Sequence, residues 1–213
     1  MPPQSVEGID AVLISHLDQD HLDIRSLERL ARSQLVVVPS GGAQLVERAG
    51  IEDVREVSAG DRIDLRGGSI EVVPALHRAR RRPLGPEAQP VGYVVSGSAR
   101  VYFAGDTGIF DEMADIGPDL DAALLPVSGW GPITRALGHL DPPSAVRALP
   151  LLKPRVVVPI HWGTFFPLGI GRFSERHTNP ARQFARLAAE TAPEVEVRVL
   201  DPGESTVIAS VGD

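Results

Sequence analysis

The stretch Ser15-His16-Leu17-Asp18-Gln19-Asp20-His21-Leu22-Asp23 decides the reading of this chain, because four potential metal ligands fall within six residues. It follows Asp10–Ser15 (DAVLIS), a short apolar run that suits a buried strand. In an extended segment the side chains of 16, 18 and 20 point to one side. His21 comes where the chain must turn into the next helix, so Asp20 and His21 can face a second point, and one loop could serve two metals. A solvated acidic loop that merely caps a helix needs one carboxylate, Asp20 or Asp23. It does not call for two histidines and a further carboxylate.

Outward from this loop the chain alternates. Leu22–Arg32 predicts a helix, Gln34–Pro39 (QLVVVP) a strand, and Gly42–Ala49 another helix. The middle predicts an antiparallel meander from Ile63–Leu65, Ile70–Val73, Val91–Ser96 and Arg100–Ala104, separated by Gly-rich turns. A strand over Asp121–Val127 precedes a helix over Asp141–Leu152, with Asp141 as N-cap and Pro142 in its first turn. Arg155–Ile160 (RVVVPI) reads as a buried strand. Asn179 and Pro180 repeat the cap-and-proline signature before a helix through Glu190. Val195–Leu200 and Ser205–Ala209 read as closing strands. The expectation is an α/β protein with helices packed on sheets, and one domain over residues 1–213.

The other candidate ligands stand at strand ends. His77 follows EVVPAL, His161 follows VVVPI, and Asp106 sits in YFAGDTG, where flanking glycines permit close backbone approach. Singly, each histidine could be a satisfied structural group. Five of the six histidines, however, occupy strand ends or motif-like loops, where sites in α/β sheets form.

Composition limits the alternatives. The 213 residues include no cysteine, so any metal must be held by nitrogen and oxygen. A net charge of −7 argues against a nucleic-acid partner. No window approaches the roughly 18 consecutive apolar residues of a membrane span. The start MPPQSVEGID has neither the basic beginning nor the apolar stretch of a signal peptide, so the expected location is cytoplasmic.

The motifs HLDQDH, the lone His77, AGDTG at Asp106 and PIHWGTF at His161 together resemble the metallo-β-lactamase superfamily. ISH…DHLD, FAGDTG, GHLDPPSAV at Gly138–Val146 and HWGTF are most similar to its subgroup of N-acyl-phosphatidylethanolamine phospholipase D and L-ascorbate-6-phosphate lactonase. The resemblance implies an αββα four-layer sandwich. It implies one metal held by His16, Asp18 and His77, a second by Asp20, His21 and His161, and Asp106 bridging both. The implied cofactors are two divalent ions, zinc first, with manganese or iron as alternatives. The implied activity is hydrolysis of a phosphodiester or a lactone or other ester by a metal-bridging hydroxide, on a small-molecule or lipid-like substrate. Asp20 and Asp106 would serve that chemistry as ligands, and His139, in GHLDP, would contact substrate and donate a proton to the leaving group.

Two departures from the family pattern matter. Asp18 stands where the family usually has histidine. Two divalent ions, three carboxylates and a hydroxide then sum to neutrality, whereas histidine at 18 would leave one positive charge. Such a site attracts anions less, and its added oxygen ligand favours harder ions such as manganese. Only about fifteen residues precede the motif, where relatives carry several strands. Either the start given is late or the first sheet lacks those N-terminal strands, and a sheet so depleted would expose an edge or an apolar face, inviting a homo-oligomer or instability. These departures also keep open a catalytically weak or inactive metal-binding member of the same fold. A β-lactam-degrading enzyme or a nuclease fits the motifs less well.

Around the site, Arg78, Arg80, Arg81 and Arg82 could grip a phosphate, although a charge run in a Pro-rich loop is usually just solvated. Trp130 could line a substrate pocket or pack. Thr164 and Phe165 follow His161, and His177 precedes the Asn179 cap without a catalytic role.

Overall fold

The computed structural model describes residues 8–30, 32–78, 85–117, 119–129, 136–163, 179–201 and 203–208. Two sheets form the centre. Strands β1 (Ala11–Leu13), β2 (Leu35–Pro39) and β3 (Val54–Val57) make a parallel three-stranded sheet in the order β1-β2-β3. The second sheet has seven strands: β4 (Arg62–Leu65), β5 (Gly68–Pro74), β6 (Val91–Ser96), β7 (Arg100–Phe103), β8 (Ala122–Pro126), β9 (Val156–Ile160) and β10 (Glu196–Val197). They lie side by side in chain order, antiparallel from β4 to β7 and parallel from β7 to β10.

Alternation within the strands builds the layers. In β2, Val36 and Val38 face helices α1 (Ile24–Leu27) and α2 (Ala43–Glu47), packing with Leu27 and Val46. Val37, between them, faces the other way and joins Ile63, Ile70, Val72 and Tyr93 in the core between the sheets. Val94, Tyr102, Ala123, Leu125 and Val157 pack on the far side against α3 (Met113–Ile116), α4 (Pro142–Leu152) and α5 (Pro180–Thr191). The result is helix, sheet, sheet, helix. The Tyr93 hydroxyl donates to the Ile14 carbonyl at 2.7 Å, a bond worth about 1 kcal/mol net that pins the end of β1 to the larger sheet.

Several expectations hold in detail. The meander is antiparallel, and Asp141 caps α4 in a reciprocal pair with Ser144. Asn179 caps α5 by accepting from the Arg182 backbone N–H. Others do not hold. The helix expected over Leu22–Arg32 is only four residues long, because Asp23 caps it at Ile24 and a tight turn from Leu30 N–H to the Leu27 carbonyl follows. Of Val195–Leu200 only Glu196 and Val197 pair as strand. Residues 205–208 are not strand either: the Arg198 guanidinium donates to the Thr206 hydroxyl and to the Val207 carbonyl, and that carbonyl is a group a ladder would otherwise use. No helix among the described residues is long and apolar enough to cross a membrane.

The topology prepares a site. Strands β5, β7, β8 and β9 run in the same direction, so their C-terminal ends share one edge of the sheet. His77 follows β5, Asp106 follows β7, Ser128 follows β8 and His161 follows β9. The end of β1 is tied to the same rim, since the Val91 N–H at the start of β6 donates to the Ser15 carbonyl at 2.9 Å.

Candidate metal centre

The loop after β1 folds back on itself through hydrogen bonds from the His21 and Leu22 N–H groups to the Asp18 carbonyl. This turn separates the two halves of the motif. His16 and Asp18 face His77, while Asp20 and His21 face His161. His16 Nε2 and His77 Nε2 lie 3.7 and 3.6 Å from Asp18 Oδ2. His21 Nε2 and His161 Nε2 lie 3.7 and 3.6 Å from Asp20 Oδ2. Asp106 stands between the two sets: its Oδ2 is 3.9 Å from His16 and 3.5 Å from His21, and its Oδ1 is 3.5 Å from His161. His139 joins from the loop before α4, with Nδ1 3.5 Å from Asp106 Oδ2.

These separations are too long for hydrogen bonds. They are close to the roughly 3.4 Å between two ligands each about 2.1 Å from a tetrahedral ion. Nε2 of His16, His21 and His77, with Oδ1 of Asp18 and Asp106, are buried and have no hydrogen-bond partner. Buried polar atoms are rarely left so. Five orphaned atoms converging on one small volume, all from borderline or hard donors, fit divalent metal ions.

The opposite ring nitrogens are all occupied. Ser15 Oγ is 3.0 Å from His16 Nδ1 and 3.4 Å from His21 Nδ1. His77 Nδ1 faces the Leu137 carbonyl at 3.0 Å, and His161 Nδ1 faces Ser128 Oγ at 3.1 Å. Such contacts fix the tautomer and leave Nε2 as the free lone pair. None of Ser15, Ser128 and Leu137 was singled out from the sequence. A hydroxyl or carbonyl carries no motif of its own, and only Ser15, beside His16, lay within reach of a local pattern.

Backbone conformation also serves the site. Gly105 has φ of +59°, and a Cβ there would meet Ser15 Cβ at 2.6 Å. Gly138 has φ of +85° and lies against the Leu76 carbonyl and His77 Cα. His161 itself takes φ of +58°, a strained choice for a non-glycine residue at the end of a strand.

Except at His161, the charges agree with ligation at neutral pH, which needs neutral imidazoles and ionised carboxyls. Burial, then neighbouring His21, pushes the His16 imidazole down to about 3, so it is neutral. The His161 imidazole, foremost, holds Asp20 down to about 2. Burial would raise Asp106, but His21, His161 and His16 outweigh it and keep the carboxyl well below its usual range. Burial lowers His139 against the pull of Asp106. At His161 burial is outweighed by Asp20 and Asp106, and the imidazole is raised.

All seven expected ligands therefore come together, and His139 with them. Arg78 lies at the rim beside His77, lining the same cavities. Trp130, Arg80, Arg81, Arg82, Thr164, Phe165 and His177 lie outside the described residues.

A two-sheet sandwich with this cluster at its strand ends defines a metallo-β-lactamase-type protein, and residues 1–162 match the beta-lactamase superfamily domain. The chain is 34% identical over 203 residues to a UPF0173 metal-dependent hydrolase of Methanopyrus kandleri, covering 92% of this chain and 81% of that one. A UPF0173 metal-dependent hydrolase of Thermus thermophilus is 33% identical over 197 residues, covering 92% and 79%. The chain belongs to the UPF0173 metal-dependent hydrolase family. Among solved structures it is similar to a metallo hydrolase of Ignicoccus hospitalis, with a TM-score of 0.72 and 27% identity over 92% of this chain and 78% of that one. An isothiocyanate hydrolase from Delia radicum gut bacteria shares the fold at a TM-score of 0.73 and 16% identity, over 99% and 80%.

Proposed function

We propose that the chain is a dinuclear metallohydrolase that cleaves a phosphodiester or a lactone or other ester. His16, Asp18 and His77 would hold one ion, Asp20, His21 and His161 the other, and Asp106 would bridge them. The observation that carries this reading is the convergence of orphaned Nε2 and carboxylate oxygens from both halves of one loop and two strand ends, with His161 joining from a third. When bound, two divalent ions supply an activated water and polarise the bond to be cleaved, which serves phosphorus and carbonyl centres alike. The likeness of the motifs to phospholipase D and lactonase relatives supports those two substrate types.

The chain's own residues divide the remaining work. Ser15, Ser128 and the Leu137 carbonyl keep the imidazoles oriented. His139 reaches the centre through Nδ1 and is held by no hydrogen bond among the described residues, so it is free to pass a proton to a leaving oxygen. Its lowered pKa leaves it largely neutral at pH 7, a state that requires it to acquire that proton within the site.

The test is hydrolysis of bis(p-nitrophenyl) phosphate and of a γ-lactone by metal-free protein reloaded with zinc or manganese. Asp106→Ala should abolish turnover, and His139→Ala should lower kcat by about 100-fold while metal content stays intact. No turnover of either substrate with both ions bound would favour a metal-binding member without catalysis.

A further inference from the structure

Beside the centre lies a cavity of about 290 Å³, at the small end of ligand pockets. His77 and His139 form part of its wall, so it opens on the cluster. Two arginines line it, Arg78 from the loop after His77 and Arg147 from α4. The Arg78 backbone is anchored, its N–H donating to the Leu137 carbonyl at 2.9 Å. Arg147 lies one turn beyond Ser144, on the face of α4 that meets the cavity. Among the described residues neither guanidinium has a hydrogen-bond or ion-pair partner, and no carboxylate lines the cavity. Apart from Ser144 the rest is apolar or glycine: Leu76 is 56% exposed and Leu137 40%, two of four large hydrophobic side chains exposed among the described residues.

Cations without counterions among the described residues, beside exposed leucines, match a ligand with an apolar body and an anionic end. The metal centre with Asp18 is close to neutral when loaded, so attraction for an anion has to come from its surroundings. We propose that this cavity is the substrate subsite and that it selects small esters or lactones bearing a terminal carboxylate or phosphate, gripped by Arg78 and Arg147. This rests on the hydrolase reading above and specifies its substrate class.

The test compares 4-nitrophenyl butyrate with 4-nitrophenyl hydrogen succinate and 4-nitrophenyl 3-phosphonopropanoate, using the full metal-loaded chain. The charged esters should be favoured in kcat/KM by about tenfold or more, the scale of a charge-assisted hydrogen bond. That ratio should collapse toward one in R78A and R147A, fall below one in R147E, and stay partly intact in R147K. It should also shrink near 1 M salt, where the screening length is about 3 Å. The larger of the two ratios tells carboxylate from phosphate. A ratio near one in the wild type, or one unmoved by either arginine variant, overturns the proposal. Should neither ester be cleaved, the hydrolase reading fails instead. Calorimetric binding of the same intact esters then decides the subsite: tighter binding of the charged ones, lost in R78A/R147A, sustains it, and equal binding refutes it.

Discussion

Removing one hydroxyl, in Ser15→Ala, should weaken both metal sites unequally. Ser15 is 2% exposed, so water has no ready access to replace its oxygen. With His16 and His21 ligating through Nε2, both Nδ1 protons point at this oxygen, at 3.0 and 3.4 Å. Leaving a buried polar group unpaired costs about 1–3 kcal/mol. The shorter contact carries most of that cost, and the longer one is near the limit of a hydrogen bond. The site of His16, Asp18 and His77 should therefore lose about 10- to 100-fold in affinity, in line with other losses of ligand-orienting groups. The site of His21 should lose only a few-fold. Competition against a chromophoric chelator, titrated to two ions per chain, reads the two constants separately. Equal losses at both sites, or none at either, would refute the role assigned to Ser15.

Further outcomes follow from neighbouring features. Gly138→Ala would drive a Cβ into the Leu76 carbonyl and His77 Cα, so urea unfolding should show a loss of about 1–3 kcal/mol, and metal content should fall with it. Asp18→His replaces an oxygen ligand by nitrogen, and metal analysis of protein grown with mixed ions should show manganese displaced by zinc. In the metal-free protein the folded His16 resists protonation down to about 3, whereas the unfolded chain accepts the proton near its ordinary 6.5. Stability should therefore fall as pH drops from 6.5 toward 3, and a urea midpoint that rises over this range would contradict the burial of His16.

Where the sequence was legible, local chemistry and tertiary structure agreed. Strand β9 is a β-branched run broken only by Pro159 and buried between neighbours, and α4 and α5 announce themselves by Asp141-Pro142 and Asn179-Pro180. Strand β3 escaped notice because Arg55 and Glu56 occupy its centre and only Val57 is buried. It is held by parallel pairing to β2, which no period in VREV reveals. The ligands were legible because the metal chemistry demands particular side chains at strand ends. Their supports were not, since a serine or a carbonyl becomes meaningful only when folding brings it 3 Å from a ring nitrogen. Arg147 was likewise invisible: on α4 it is one exposed arginine, and only the packing of α4 beside His139 places it at the cavity.

Crystals of the metal-loaded protein, with anomalous scattering recorded at the zinc and manganese edges, bear most directly on the dinuclear centre. Two peaks about 3.5–4 Å apart are expected, one among His16, Asp18 and His77, the other among Asp20, His21 and His161, with Asp106 touching both. A single peak, or a pair that leaves Asp106 uncoordinated, would contradict it.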